Sequence, residues 1–275
     1  MKTNFVASAS DLRARAWNAM SATWSTVVFI TFIISIANMA ASYVLSSLPL
    51  PGLLGILASF ALTMAVSIAE LGLTCGALTY LRRGHIEVDH VKSMFPYWGP
   101  VVRLSLWEGL FIILWMLPGL IVSTVGITMI MSTATEEYMI INIASLLDSY
   151  LHLMTANIPG LVVYLLGLLL MLVLMIRAAL NYLLAGCCLI DAPHMGGRAA
   201  LKKSKELMRG NRWRYILMAI PVLLMSALIA GISYFLSGSM NETLVTIIIS
   251  ILSIAPDVMA VYLVPVLYQE VNDTL

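Results

Sequence analysis

Apolar residues in this chain come in long uninterrupted blocks, and the polar residues collect between them. A helix that crosses a bilayer needs about 20 apolar residues, because the hydrocarbon layer is roughly 30 Å thick and each residue rises 1.5 Å. Six windows meet that length: Trp24–Leu45, Leu53–Leu81, Val101–Met129, Ile158–Ile190, Tyr215–Leu236 and Leu244–Tyr268. The pattern predicts an all-α fold, a polytopic bundle of six transmembrane helices forming one integral membrane domain over residues 1–275. The windows opening at Leu53 and Ile158 exceed the minimum, which implies tilt or a helical extension past the bilayer. The first run is too long for the apolar core of a cleavable leader and reads as a retained start-transfer anchor.

Charge placement gives the expected orientation. Residues 1–23 carry Lys2, Arg13 and Arg15; the connector 82–100 carries Arg82, Arg83 and Lys92; the connector 191–214 carries Arg198, Lys202, Lys203, Lys205, Arg209, Arg212 and Arg214. The alternate connectors, 46–52, 130–157 and 237–243, have no Lys or Arg, and the middle one is acidic through Glu136, Glu137 and Asp148. Lys/Arg-rich loops are retained in the cytoplasm, so both termini are expected inside. Trp24, Trp98 and Trp213 stand at the cytoplasmic starts of spans one, three and five, where interfacial aromatics belong. The composition, 61% hydrophobic and 11% charged, excludes a water-soluble domain, which averages about 25% charged residues. Cys75, Cys187 and Cys188 are expected to be thiols within or beside spans, not a disulfide framework.

A threefold register runs through the connectors. Leu12, Ile86 and Leu201 each stand twelve residues before Trp24, Trp98 and Trp213. The implied unit is a cytoplasmic amphipathic interfacial helix followed by a two-span hairpin, dividing the chain at 8–81, 85–190 and 195–270. In the third unit a helix is predicted from Arg198 to Arg209, with Leu201, Ser204, Leu207 and Met208 on one side. Lys202 and Glu206, four apart, are placed to pair, and Gly210 suits a left-handed cap. Lys202, Lys203, Lys205, Arg209 and Arg212 are the candidate lipid-facing basic residues, and anionic headgroups are the expected partner. The simpler reading of this helix is a topogenic anchor packed under the bundle; the other is a lipid sensor or a dock for a membrane-protein partner.

Four charged residues fall inside apolar windows: Glu70, Glu108, Arg177 and Asp257. A charge at the centre of a spanning helix costs about 2.5–3.5 kcal/mol on insertion scales, so each is expected to face the interior and find a partner. At 1.5 Å per residue, Glu70 lies roughly 16 Å before Leu81, Glu108 about 15 Å after Trp98 and Asp257 about 17 Å before Tyr268. These depths place the acids in one layer, which Arg177 can reach. A structural ion pair between Arg177 and one acid, with the remaining carboxylates lining a polar cavity or staying protonated, is the first reading, and an ion or proton pathway is the alternative. Gly72 and Gly76 make a small-xxx-small face, while Pro118–Gly119 and Pro256 are positions where a helix can break or kink.

No enzyme chemistry emerges. The stretch His85-Ile86-Glu87-Val88-Asp89-His90 gathers potential ligands but lacks the set a closed zinc site needs. There is no phosphate loop, His-Glu-x-x-His spacing or nucleophile elbow, so no catalytic residue, metal or cofactor is assigned. The basic connector 198–214 adjoins two spans, which makes a membrane surface, not nucleic acid, its simpler partner.

The pieces Leu81-Arg82-Arg83-Gly84 with Phe95, Leu114-Trp115 leading to Pro118-Gly119, Arg177 with Tyr182, Asp191-Ala192-Pro193, Ala200 through Ser204, Leu207-Met208-Arg209-Gly210, Trp213, Pro265 and Tyr268 follow one another in an order that resembles a bacterial integral-membrane family, domain of unknown function 975. The likeness covers the chain apart from 120–176, where an acidic segment and extra apolar sequence intervene. A more distant likeness is to the membrane region of some glycerophosphodiester phosphodiesterases, without their catalytic domain. The resemblance implies the bacterial plasma membrane and no established activity. The leading expectation is a non-enzymatic accessory, assembly or lipid-interacting scaffold; the alternatives are a small-solute or ion transporter using the buried carboxylates and, third, a lipid-acting membrane enzyme.

The orientation is directly testable. Reporter tags inserted near residues 48, 143 and 240 should all be accessible only from outside the cytoplasm, and a cytosolic signal from any one of them removes the arrangement.

Overall fold

The computed structural model describes residues 7–48, 52–86, 89, 92–132, 157–237 and 241–273. Every element among them is helical: α1 (Ala9–Ser47), α2 (Gly52–Arg83), a 3-10 turn at Phe95–Tyr97, α3 (Trp98–Met131), α4 (Ile158–Tyr182), α5 (Ala185–Asp191), α6 (Gly197–Leu207), α7 (Arg212–Ser237) and α8 (Glu242–Asp273). Six helical segments are long and apolar enough to cross a membrane, as the block pattern predicts. Their outward faces carry exposed Phe29, Leu53, Ile121, Leu169 and Leu228. Water-soluble monomers rarely show such continuous apolar surface; lipid contact explains it. The acidic connector residues Glu136, Glu137 and Asp148 lie outside the described residues.

The chain forms two compact units, residues 1–107 with 181–275, and residues 108–180. In the first, α1, α2, α7 and α8 make a four-helix bundle, with α5 and α6 packed at one end. Its core is built from Val27, Leu78, Met218, Val258, Tyr262, Leu263 and Leu267, all fully buried. Thr23 on α1 and Tyr262 on α8 join hydroxyl to hydroxyl inside that core. At the bundle end, Glu270 near the α8 terminus accepts from the Ala7 amide (3.0 Å) and from Arg15 Nη1 (2.8 Å), fastening the start of α1.

The second unit is a close helical hairpin. Gly119 faces the backbone of Met171, Gly126 that of Tyr164, and Gly167 that of Ser123. A Cβ at any of the three would overlap the opposing main chain, so glycine sets the separation of the two helices. Gly72 and Gly76, the small-residue face noted in the sequence, are buried on α2.

Helix ends follow local chemistry. Ser8 caps α1 by accepting the Asp11 amide (3.3 Å), and Asp11 sits in the first turn, where the helix dipole favours an acid. At the other extreme, α2 finishes on Arg82 and Arg83, and Gly84 takes φ +77°, the left-handed geometry that closes a helix without a Cβ penalty. Gly210 likewise takes φ +91° in the turn between α6 and α7.

The three connectors in the twelve-residue register take different forms. Three residues before each tryptophan stand Ser21, Phe95 and Gly210. In the third copy Gly210 lies in a turn that separates α6 from α7, and in the second the Phe95–Tyr97 3-10 turn, containing Pro96, precedes α3. The first copy has Ser21, with neither proline nor glycine, and α1 continues through it as one 39-residue helix instead of the expected interfacial helix and separate span. Leu12 and Leu201 are buried and all three tryptophans exposed. Ile86 is half-buried, and part of its segment, including Glu87 and His90, lies outside the described residues.

Of the two outcomes open at the span prolines, a break is not seen. The helices run on through Pro118, Pro221, Pro256 and Pro265. The break falls elsewhere, between Tyr182 and Ala185, inside the window 158–190 that was expected to be continuous. Ser204, wholly buried on α6, closes that break from outside: its Oγ accepts the Leu184 amide (3.1 Å) and donates to the Asn181 carbonyl (2.8 Å). Ser204→Ala should therefore leave two buried backbone groups unmatched, each costing about 1–3 kcal/mol. A clear fall in Tm of the purified protein is expected, against little change for the exposed Ser59→Ala; equal behaviour of the two would show that the break needs no clamp.

Candidate functional site

α6 supplies the first feature. Its Leu201, Leu207 and Met208 are buried together with Ser204. At its start, a Cβ on Gly197 would lie 3.0 Å from Leu104 backbone atoms, so the helix presses directly on the first turns of α3. Arg198 then sets its guanidinium over the Trp107 ring, 5.0 Å from the centroid, within cation–π range. The helix is thus docked on protein along its apolar side. Lys202, Lys205 and Arg209 are exposed on the other side, and Trp213 just beyond is 68% exposed.

Two of the five candidate basic residues do not share that open face. Lys203 is half-buried and contributes positive charge near Asp191. Arg212 is half-buried with its Nε enclosed and without a hydrogen-bond partner. Lys202 and Glu206 form no ion pair; both side chains are exposed, and water solvates them at less entropic cost than a fixed pairing.

Beside α6 lies a polar knot. Asp191, at the end of α5, takes a bidentate contact from Arg82 of α2, with Nη1–Oδ1 at 2.7 Å and Nη2–Oδ2 at 2.9 Å. The fully buried Tyr268 of α8 donates its hydroxyl to Oδ2 at 2.8 Å. Asp191 thus joins three elements through one carboxylate, across 109 positions of sequence to Arg82 and 77 to Tyr268. Fork-to-carboxylate pairing fixes orientation as well as distance, which a lysine would not do. Neither Asp191 nor Tyr268 stood out as a site residue in the sequence, because each lies at the end of an apolar window where a polar residue is unremarkable.

The intramembrane candidates separate. Glu70 on α2 and Asp257 on α8 line the same cavity of 410 Å³, together with Thr31 and Ser35 from α1 and Gly186 and Cys187 from α5. Both carboxylates are accessible, and no described residue donates a hydrogen bond or ion pair to either side chain. Thr31 adds an anomaly: its Oγ1 is enclosed and has no hydrogen-bond partner, although Thr23 on the same helix bonds back to the Ala19 carbonyl at 2.8 Å.

Glu108 and Arg177 belong to the second unit. The expected pairing of Arg177 with an acid is not formed there: the guanidinium lies over the Trp115 ring, 5.8 Å from its centroid, and Glu108, the one acid among the described residues of that unit, is half-buried and forms no ion pair. The electron-rich ring face can hold the cation without bringing a second charge into the apolar layer.

In the His85–His90 stretch Asp89 contacts Lys92 at 3.2 Å, and among the described residues no group of three His, Cys, Asp or Glu side chains is placed to hold a metal ion. Cys75, Cys187 and Cys188 are free and buried.

Six helices long and apolar enough to cross a bilayer define a multi-pass helical membrane protein. The chain belongs to the family described as "protein of unknown function (DUF975)", whose model matches residues 1–271. No curated protein and no solved structure matches it, and no match bears on the distant likeness to glycerophosphodiester phosphodiesterases. Pieces that carried the resemblance meet in space: Arg82 with Asp191 and Tyr268 in one unit, Trp115 with Arg177 in the other.

The knot can be tested by a double-mutant cycle. Arg82→Met and Asp191→Asn should each lower Tm, and the double variant should be less damaged than the sum of the two, with a coupling of about 0.5–3 kcal/mol. Strict additivity would mean that the contact contributes nothing to stability.

Proposed function

We propose that this is a non-enzymatic accessory or assembly scaffold of the bacterial plasma membrane, with both termini in the cytoplasm, that holds anionic lipid headgroups on a fixed basic surface. The observation that carries the reading is the fixing of α6. Its apolar side is occupied by protein, so the helix does not need to insert into lipid to satisfy itself, and Lys202, Lys205 and Arg209 are presented in one constant arrangement. Exposed Trp213 beside them suits the headgroup layer, where an indole keeps its ring in the apolar region and its N–H in the polar one. The distribution of Lys and Arg among connectors supports a cytoplasmic location for this surface. A membrane-protein partner with an acidic juxtamembrane segment would use the same residues.

A second reading, small-solute or ion transport, is favoured by one observation: the two unpaired carboxylates Glu70 and Asp257 share an open cavity. It requires net solute movement in reconstituted vesicles that is lost in Glu70→Gln.

The scaffold reading is tested on lipid retention. Each basic residue near an anionic surface contributes about 1 kcal/mol, so replacing Lys202, Lys205 and Arg209 together by Gln should weaken phosphatidylglycerol binding on the order of 100-fold. The three side chains are exposed, so Tm should change little. Native mass spectrometry of wild-type and triple-variant protein released from phosphatidylglycerol-containing nanodiscs measures the difference; identical lipid retention would sink the proposal.

A further inference from the structure

We propose that the cavity between α1, α2 and α8 binds a small organic cation, a primary ammonium group carried on an apolar body. The reading does not depend on the basic surface of α6, and it holds whether or not the bound cation crosses the membrane. Three observations carry it. The first is charge: Glu70 and Asp257 both line the cavity, and no Lys, Arg or His lines it with them. A carboxylate within an apolar span requires compensation from something, and among the described residues neither side chain has an ion-pair partner.

The second observation is the orphan hydroxyl. Thr31 lines the same cavity, is only 8% exposed, and leaves its Oγ1 without any hydrogen bond. Buried polar atoms in folded proteins are nearly always matched, so an unmatched one at a cavity wall points to a ligand atom. An –NH3⁺ group has three donors and no acceptor. Two carboxylates and one hydroxyl oxygen offer three acceptors of the required kind.

The third observation is size and wall chemistry. At 410 Å³ the space is far larger than one water, whose share of the liquid is about 30 Å³, and it falls in the range of small-molecule pockets. Leu71 and Val261 are among its walls, which suit a hydrocarbon body better than a hydrated ion.

The test uses the full chain in a maltoside detergent and isothermal titration with benzylamine, alongside benzyl alcohol as its neutral shape match and sodium and magnesium chloride as bare ions. Saturable benzylamine binding that benzyl alcohol does not share is expected. Glu70→Gln and Asp257→Asn should each weaken it at least tenfold, and Glu108→Gln, in the other unit, should leave it unchanged. Thr31→Val keeps the side-chain shape, so it should fold with an equal or higher Tm without ligand and bind benzylamine several-fold more weakly. The proposal is overturned if benzyl alcohol binds as well, if only the metal ions bind, or if the carboxyl variants bind like wild type. Should either carboxyl variant fail to fold, Thr31→Val decides alone, and unchanged affinity in it rejects the site. Lipid retention by the Lys202, Lys205 and Arg209 variant reads different residues, so the two proposals fail separately.

Discussion

Where lipid replaces water, every backbone amide and carbonyl must find its partner inside the protein, and the architecture answers to that constraint. Unbroken helices meet it without help, and α1, α2, α3, α7 and α8 run to lengths of 26 to 39 residues, the last three through internal prolines. Where α4 gives way to α5 the ladder is interrupted, and Ser204 supplies an external group to the backbone there. That hydroxyl acts together with the buried Leu201, Leu207 and Met208 and the Gly197 contact to seat α6. The orientation of the basic face is therefore tied to satisfying two backbone groups some twenty residues away.

The same constraint separates structural polar groups from those available for binding. Asp191 is satisfied by Arg82 and Tyr268, Glu270 by Arg15 and the Ala7 amide, and Thr23 by Ala19 and Tyr262. Arg177 has the face of Trp115. Against that background Glu70, Asp257 and Thr31 differ in kind, because they converge on one cavity and remain unmatched among the described residues.

Length and composition made the six spans legible, since block size alone distinguishes a crossing helix from a soluble one. Side-chain depth was legible too: counting residues from Leu81 and Tyr268 placed Glu70 and Asp257 in one layer. Rotation about the helix axis was not, because a helix that is apolar all round has no sided pattern to say which residues face inward. A polar cavity lined by unpaired acids was an expectation, but which of the three acids would share it was therefore not given by the pattern. The α4–α5 break was hidden for a related reason: neither proline nor glycine marks residues 183–184, and the side chain that closes the gap lies in another helix. The prolines left break or kink open, and the helices continue through them because a missing amide donor can be tolerated where the surrounding helix stays intact. The α6 face was readable because its short, charged sequence is one-sided, and Leu201, Ser204, Leu207 and Met208 are buried as their spacing predicts.

Helix α5 joins these features. Its Gly186 and Cys187 line the cavity, and a Cβ on Gly186 would come within 2.6 Å of Leu71 Cδ1, so the Leu71 side chain of α2 packs directly against the bare glycine. One and a half turns later Asp191 ties the same short helix to Arg82 and Tyr268, while Ser204 holds the amide of Leu184 at its other end. With both ends fixed and one face against α2, α5 cannot shift alone. Any change in the cavity that displaces α5 must break one of those contacts or carry α6 and its basic face along. The binding cavity and the basic surface are thus mechanically adjacent through seven residues, and the rigidity of that piece follows from how its terminal polar groups are matched.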